Sequence, residues 1–368
     1  MRTKSTEVIV AYYFQKSYNL ASMEIHTNVS LKNLTTMKLG GSAKFFSDIH
    51  TIQDLNDLCR DAETKNIPIF ILGGGSNVIA HDDGFPGLVL RMRLPGFTVI
   101  ADDLYSTTIK VGAGEAWDDV VKRTVEMNLS GIEALSAIPG TAGAAPVQNI
   151  GAYGQEVAET LVSLEAYDTQ THTIVTLQNA DCEFSYRHSI FRGSSQGRYV
   201  IISITLRLSK SLPSPPFYEA LQSYLDEHAI SIYTPQTIRD AVIAIRTDKL
   251  PDPAEKPNSG SFFKNALIEE WQLPDLQAAF PDVKTYEMGN GTVKVPTGWL
   301  IDKAGFRGKL IHGMRVNDKN ALVLINESAK SYDDLATARD EIIGAVRDMF
   351  RIQIEQEPLE LVPRTLQS

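Results

Sequence analysis

Two short segments place a reactive polar side chain among aromatic residues. Arg187 lies within residues 186–192, and Ser261 stands between a glycine and two phenylalanines in residues 260–265. A guanidinium can hold a carboxylate through two parallel hydrogen bonds, and a partly desolvated hydroxyl can donate a proton. Each segment alone is more often structural, with Arg187 a surface charge on a strand. A Ser-His-Asp triad also stays open, because triads are recognised by geometry rather than spacing.

A glycine-rich turn, Gly-Gly-Gly-Ser-Asn at 73–77, follows a predicted strand. Glycines let backbone N–H groups approach a diphosphate, although the same run could be only a tight turn. It is not a P-loop, because no Gly-Lys-Ser or Gly-Lys-Thr follows. It is not a Rossmann fingerprint either, because Val78 stands at the last glycine position. The Gly-Ala-Gly at 112–114 also fails the Rossmann fingerprint, because Trp117 stands at the position of its third glycine.

Residues 138–154 form a long run of small residues with almost no charge. Such a run makes a backbone surface with few side chains in the way, which suits contact with a large flat ring and a diphosphate. The alternative is a loop buried between domains.

The elements that must position these segments are of mixed type. Thr51 is a predicted N-cap for a helix over 52–62, and Leu335, Ala338, Ile342, Val346 and Met349 share one face of a helix over 333–350. Strands are predicted at 67–72, 87–92, 107–112, 161–167 and 199–208. Two proline-rich stretches, 211–216 and 250–257, interrupt this pattern, and the first predicts a domain boundary.

Composition narrows the class of protein. The 368 residues carry a net charge of -10, which disfavours nucleic acid and anionic membranes as partners. Cys59 and Cys182 form no disulfide framework or zinc ligand set, so a reducing cytoplasm and no metal are expected. The apolar run at 8–14 is too short for a membrane span. Residues 1–23 are expected to be a variable extension, and Met1 and Met23 both stay open as the start.

Seven blocks in order resemble the UDP-N-acetylenolpyruvoylglucosamine reductase family, over nearly everything from Asn28 to Val362. In the present sequence these blocks are 72–77, 111–115, 138–154, 186–187, 246–253, 260–265 and 298–302. The segment around Tyr218 is similar to the form of the family with a substrate-covering tyrosine loop.

The resemblance implies an α+β protein with the vanillyl-alcohol-oxidase (PCMH)-type FAD-binding fold. Two α/β subdomains, about 24–93 and 94–210, would bind FAD. Residues 211–253 would be a linker and substrate loop, 254–350 an α/β substrate domain, and 351–368 a C-terminal segment carrying a catalytic Glu. The implied activity is NADPH-dependent reduction of UDP-N-acetylenolpyruvoylglucosamine to UDP-N-acetylmuramate, a step in peptidoglycan precursor synthesis.

The resemblance also implies a set of site residues. Those lining FAD, held non-covalently, would be Gly73, Gly74, Gly75, Ser76, Asn77, Ile138, Pro139, Gly140, Thr141, Gly143, Ala144, Asn149, Gly151, Ala152 and Tyr153. Those contacting substrate would be Tyr186, Tyr218, Lys249 and Asn265. Arg187 would polarise the substrate carboxylate, Ser261 would protonate carbon, and a buried carboxylic acid would assist Arg187.

Two departures from the family pattern concern this acid and its surroundings. The family typically ends in Leu-Glu-Pro-Glu, whereas residues 354–358 read Ile-Glu-Gln-Glu-Pro. Aligning on the first Glu favours Glu355 as the acid, and aligning on Glu-Pro gives Glu357 as the runner-up. Two residues apart in a strand, both would face the same side. His188 also stands where the family often has Asp.

Two other functions stay open from the sequence. One is a flavin oxidase of the wider fold that acts on an alcohol or sugar, which would not need the segment around Ser261. The other is a catalytically inactive flavin-binding regulator, which would be expected to lack Arg187, Ser261 or the terminal Glu. A monomer that binds a UDP-linked amino sugar and NADPH is expected.

Overall fold

The computed structural model describes residues 24–289 and 291–362. The apolar run at 8–14 lies outside them. The described part of the chain begins with a four-stranded sheet in the order β1-β2-β5-β3, in which β5 pairs parallel with β2 and β3. Its strands, with the separate β4, are β1 (His26–Ser30), β2 (Ser42–Ile49), β3 (Ile69–Leu72), β4 (Val78–Ala80) and β5 (Phe85–Met92).

Helix α1 (Ile52–Thr64) connects β2 to β3 and packs between this sheet and the next one. The Thr51 hydroxyl accepts the Asp54 backbone N–H at 3.1 Å, which confirms the predicted N-cap. Leu55 and Leu58 lie on the buried face of α1 and share one core cluster with Val200 of the second sheet. The helix is therefore held between the two sheets, which fixes β3 and the turn that follows it.

The second unit is a five-stranded antiparallel sheet in the order β11-β10-β12-β7-β6. Across both sheets, the structure confirms all five strands predicted from the sequence, and each end agrees within two residues. The predicted ranges were 67–72, 87–92, 107–112, 161–167 and 199–208. Elements of this unit are β6 (Phe97–Asp102), β7 (Ser106–Gly112), α2 (Trp117–Glu126), β8 (Gly151–Ala152), β9 (Gln155–Glu156), α3 (Val157–Thr160), β10 (Leu161–Asp168), β11 (Thr173–Gln178) and β12 (Tyr199–Ser209).

Residues 211–253, expected as a linker and substrate loop, contain two helices, α4 (Glu219–Glu227) and α5 (Pro235–Lys249). Leu221 and Leu225 of α4 pack with Ile238 and Val242 of α5, because both helices repeat apolar residues every four positions. This pair is anchored to the second unit through Arg239, which binds both carboxylate oxygens of Asp118 at 2.6 and 2.8 Å.

The third unit contains two antiparallel sheets, in the orders β13-β19-β18-β17 and β14-β16-β15, covered by helices. Its elements are β13 (Asn258–Ser261), β14 (Ala266–Glu269), α6 (Leu273–Ala279), β15 (Tyr286–Glu287), β16 (Thr292–Val295), α7 (Thr297–Lys303), β17 (Leu310–Ile311), β18 (Met314–Val316), β19 (Val323–Asn326) and α8 (Tyr332–Phe350). The boundaries between the three units remain predictions.

Helix α8 confirms the predicted helix over 333–350 with one correction. Leu335, Ala338, Ile342 and Val346 are buried as expected, but Met349 is 49% exposed. Phe350 lies four residues after Val346 and takes the core position instead, with its ring centroid 4.7 Å from that of Phe280.

The C-terminal segment connects the third unit to the first. Strand β20 (Leu359–Leu361) pairs parallel with β4, and residues 355–357 lie antiparallel to 262–264. The Glu357 N–H donates to the Phe262 carbonyl at 2.8 Å, and the Lys264 N–H donates to the Glu355 carbonyl at 3.0 Å. Within residues 24–289 and 291–362, no helix is long and apolar enough to cross a membrane.

Candidate active site

The glycine-rich turn between β3 and β4 packs directly on the small-residue run. A Cβ added to Gly73 would lie 2.9 Å from Thr141 Oγ1, and one added to Gly74 would lie 3.0 Å from Gly140 Cα. Gly75 has φ +69, and a Cβ there would lie only 1.9 Å from the Leu34 carbonyl oxygen. Glycine is therefore required on steric grounds at Gly75, whereas at Gly73 and Gly74 a side chain would press on the small-residue run.

The small-residue run has the properties that a flavin cradle needs. The Ser76 hydroxyl donates to the Pro139 carbonyl at 3.1 Å, which ties the turn to the run. Thr141 Oγ1 is buried and has no hydrogen-bond partner among the described residues, although buried hydroxyls are normally satisfied. An open backbone surface beside an unpaired buried hydroxyl fits a large cofactor with polar ring and diphosphate groups, so the residues present fit FAD.

One predicted flavin residue, Asn149, uses its side chain within the protein. Its Nδ2 donates to Glu156 Oε2 at 2.6 Å and to the Ser185 carbonyl at 3.2 Å, while its Oδ1 accepts the Ala158 N–H at 3.1 Å. These bonds hold the end of the run against the turn that carries Arg187.

Arg187 lies at the centre of the site in a left-handed conformation, with φ +53. Its Nη2 donates to the Gly151 carbonyl at 2.6 Å and its Nη1 to the Asn149 carbonyl at 3.3 Å. A Cβ on Gly151 would lie 3.0 Å from Nη1, so a side chain there would displace the guanidinium. Left-handed backbone in a non-glycine residue is often found at functional sites, where surrounding contacts hold it in place.

The two candidate acids lie in different environments. Glu357 Oε2 is 3.5 Å from Arg187 Nε, and the Glu357 side chain is 12% exposed. Burial raises the pKa of Glu357, although Arg187, Arg192 and Lys264 oppose the rise. The side chain of Glu355 is 71% exposed and pairs with Lys264 at 3.2 Å. The order of preference drawn from the sequence, Glu355 before Glu357, is therefore the reverse of what these positions favour.

Ser261 ends β13, where the C-terminal segment passes. The next residue, Phe262, accepts the Glu357 N–H, so the backbones that carry the hydroxyl and the buried acid are hydrogen-bonded neighbours. Gly260 has φ +71, which sets the turn of the backbone into Ser261. Phe262 and Phe263 are fully buried behind it and anchor the segment.

Arg187 lies over the ring of Tyr186, with the guanidinium carbon 5.2 Å from the ring centroid, and two further predicted tyrosines contact each other. Tyr186 OH accepts the Asn265 N–H at 3.3 Å, and Tyr153 meets Tyr218 edge to face with ring centroids 6.2 Å apart. Tyr218 is 44% exposed at the start of α4. Lys249 is different, because it is exposed at the end of α5, and no hydrogen bond or ion pair to another candidate is found in the described chain.

Sequence reasoning missed the roles of three residues in this region. Gln148 donates to Glu357, Arg192 donates to Gln148, and Lys294 lies over the rings of Tyr186 and Tyr286 at 5.5 and 5.2 Å. Burial, and then the nearby charge of Arg187, lowers the pKa of Lys294. Lys294 could have been found from the strand pattern, because it lies between two buried valines. Alternation along a strand directs its side chain to the face opposite the valines. The cations of the site favour an anionic ligand despite the acidic chain.

Comparison with known proteins gives two family matches. Residues 44–178 match an FAD binding domain, and residues 252–361 match the C-terminal domain of UDP-N-acetylenolpyruvoylglucosamine reductase. The reductase of that name from Ralstonia nicotianae is 41% identical over 88% of this chain and 95% of its own length. The one from Flavobacterium johnsoniae is 39% identical over 91% and 99%.

Solved structures match along most of the chain. The crystal structure of UDP-N-acetylenolpyruvylglucosamine reductase from Thermus caldophilus has a TM-score of 0.64 at 21% identity, over 92% of this chain and 99% of that one. The 4-ethylphenol oxidase from Gulosibacter chungangensis has a TM-score of 0.52 at 10% identity, over 97% and 90%. At these identities the likeness concerns the fold alone.

Proposed function

The chain belongs to the UDP-N-acetylenolpyruvoylglucosamine reductase family, and from this premise we propose that Arg187, Glu357 and Ser261 carry its reaction. The protein reduces UDP-N-acetylenolpyruvoylglucosamine to UDP-N-acetylmuramate, with FAD as cofactor and NADPH as reductant. The predicted family, activity and vanillyl-alcohol-oxidase-type fold are confirmed. The observation that carries the proposed roles is the shielded pair of Arg187 and Glu357 beside the small-residue run.

The chemistry that FAD would supply when bound is hydride transfer from NADPH to the enolpyruvyl double bond. The residues that would hold it are the turn at 73–77 and the backbone of residues 138–153. Thr141 Oγ1, buried without a partner in the described chain, is the side-chain group best suited to a polar atom of the cofactor.

Arg187 and Glu357 would act together on the substrate carboxylate. An enolpyruvyl ether is electron-rich, so it accepts hydride only when the added electron pair can delocalise into its carboxylate. The Arg187 guanidinium favours that charge, and a protonated Glu357 can donate a hydrogen bond to the same group. Burial of Glu357 favours its protonated form, so we propose Glu357 as the acid in place of Glu355.

Ser261 would then donate a proton to the carbon beside the ether oxygen, completing the reduction of the double bond. Tyr186, Asn265 and Tyr218 line the same region and would contact the substrate, with Tyr218 as its cover. Lys249 would meet the substrate diphosphate, a role that rests on the family likeness, because no hydrogen bond or ion pair joins its side chain to the other candidates in the described residues. We further propose that the protein is a cytoplasmic monomer, which light scattering of the purified protein tests for oligomeric state.

The test of this function is anaerobic spectroscopy of the purified protein. NADPH is expected to bleach the flavin absorbance, and UDP-N-acetylenolpyruvoylglucosamine is expected to restore it while a lactyl ether forms. A reduced flavin that is not reoxidised by this substrate but reacts rapidly with oxygen would identify an oxidase instead. Absence of bleaching by NADPH would indicate an inactive flavin-binding protein.

A further inference from the structure

Gln148 bridges Arg192 and the proposed acid Glu357. Arg192 Nη1 donates to Gln148 Oε1 at 3.3 Å, and Gln148 Nε2 donates to Glu357 Oε1 at 3.2 Å. Asn77 Nδ2 donates to the same Gln148 oxygen. Asn77 belongs to the glycine-rich turn, Gln148 to the small-residue run and Arg192 to the segment after Arg187. These three elements therefore meet at the Gln148 amide, which in turn binds Glu357.

The orientation of the Gln148 amide is fixed by Arg192. A guanidinium carries donors and no acceptor, so the Gln148 atom that faces it must be the oxygen. The Gln148 NH₂ group then faces Glu357 Oε1, which must act as an acceptor. Glu357 Oε1 accepts this hydrogen bond at 3.2 Å, whereas Oε2 has a longer contact of 3.5 Å to Arg187 Nε, so a proton on Glu357 is directed to Oε2.

We propose that Gln148 and Arg192 are positioning residues that place the acidic proton of Glu357 on Oε2, toward the carboxylate that Arg187 holds. This inference rests on the proposed role of Glu357. With the proton on Oε2, the acid can donate to the substrate carboxylate as soon as it binds. With the proton on Oε1, it would clash with the Gln148 NH₂ group and point away from Arg187.

The other charged and titratable groups around Glu357 do not replace the hydrogen bond that Gln148 donates to Oε1. Arg187 faces Oε2, Lys264 pairs with the outer Glu355, and Tyr186 OH accepts a hydrogen bond from the Asn265 N–H. Arg192 acts on Glu357 by its charge and through Gln148. In the described residues, the hydrogen bond to Oε1 comes from Gln148.

Infrared difference spectra of the FAD-loaded protein across pH test the position of the proton without turnover. The C=O band of protonated Glu357 is assigned by its loss in Glu357→Gln. In Gln148→Leu this band is expected at higher frequency, because the carbonyl oxygen no longer accepts a hydrogen bond. An unshifted band in Gln148→Leu would overturn the proposal.

Kinetics of flavin reoxidation by the substrate give a second measure. Gln148→Leu and Arg192→Met are expected to slow this step about 10-fold, the worth of one strong hydrogen bond, with little change in substrate dissociation constant. Arg192→Lys keeps a donor and should recover part of the rate even if Arg192→Met folds poorly. Gln53→Leu, which removes a 2.8 Å bond to Asp57 on the exposed face of α1, is the matched control.

The outcomes separate this inference from the proposed function. If Glu357→Gln leaves both the infrared band and reoxidation unchanged, the role of Glu357 is wrong. If Glu357→Gln abolishes both but Gln148→Leu and Arg192→Met behave like Gln53→Leu, only the positioning role is wrong.

Discussion

Arg187 Nε lies 3.5 Å from Glu357 Oε2, and the two side chains are only 17% and 12% exposed. Their attraction is offset by the cost of taking both groups out of water, so burial raises the pKa of Glu357 even beside three cations. Burial therefore favours the protonated form of Glu357 next to a guanidinium. Two such groups can bind one carboxylate, one by charge and the other by donating a hydrogen bond.

Glu357→Gln is expected to slow reoxidation of the flavin by substrate, whereas Glu355→Gln should leave it nearly unchanged. An amide is a weaker donor than a carboxylic acid, and general acid assistance is typically worth roughly 100-fold to 10,000-fold. Stopped-flow absorbance separates this step from reduction by NADPH, which both variants should retain. A large loss in Glu355→Gln with a normal Glu357→Gln would restore the sequence-based preference.

Arg187→Lys is expected to keep flavin reduction by NADPH but to lose most substrate turnover. A point ammonium cannot reproduce two parallel hydrogen bonds to one carboxylate, nor the bonds from Arg187 to the Gly151 and Asn149 carbonyls. Single-turnover reoxidation measures the effect. An unchanged rate of reoxidation would remove Arg187 from the mechanism.

Gly75→Ala is expected to weaken flavin retention and to lower the thermal midpoint more than Gly197→Ala. Both glycines are left-handed, with φ +69 and φ +86, so each alanine costs about 1 kcal/mol in backbone strain. Only the Gly75 Cβ would also collide with a backbone oxygen, because nothing lies within 4 Å of a Cβ on Gly197. Bound flavin per chain and thermal unfolding give the comparison, and equal effects would show that strain alone matters.

The local elements of this fold could be predicted because their signals are local. Thr51 caps α1, and the four-residue repeat from Ala338 to Val346 marks the buried face of α8. Helices α4 and α5 were missed because the proline-rich stretches on either side indicated breaks in the pattern, and the family resemblance implied a linker and substrate loop between them. Pro235 in fact occupies the first turn of α5, where a proline is tolerated.

The sequence could predict which residue types form the site, but not which of them are shielded from solvent. Glu355 and Glu357 are two residues apart, and only the pairing of 355–357 with 262–264 decides which is shielded. That pairing leaves Glu355 on an open cavity of about 420 Å³ and brings Glu357 to Arg187. Gln148 and Arg192 carry no local signal, because their importance comes from contacts between distant segments.

The pH dependence of the substrate step should report Glu357. If the acid must be protonated, the rate constant for reoxidation should be constant at low pH and fall as the pH rises through the raised pKa of Glu357. The same raised pKa contributes stability that is fully present below the unfolded value, about 4.3, and is lost as the pH rises through the folded pKa.

Glu357→Gln cannot ionise, so it should lack this part of the pH dependence of stability. Thermal midpoints of both proteins across the pH range test the linkage. A difference between them that stays constant with pH would show that Glu357 has the same pKa in the folded and unfolded states.

Ser261→Ala should leave reduction of the resting enzyme by NADPH nearly intact while slowing product formation by several orders of magnitude. The reason is that the hydroxyl is proposed to protonate carbon only as hydride reaches the substrate. General acid catalysis is typically worth roughly 100-fold to 10,000-fold, so a smaller loss would point to water or another group as the donor. Ser261→Cys should retain more activity than Ser261→Ala, because a thiol can still donate a proton. Stopped-flow reduction and reoxidation measure the two halves, and equal slowing of both halves in both variants would make Ser261 a structural residue.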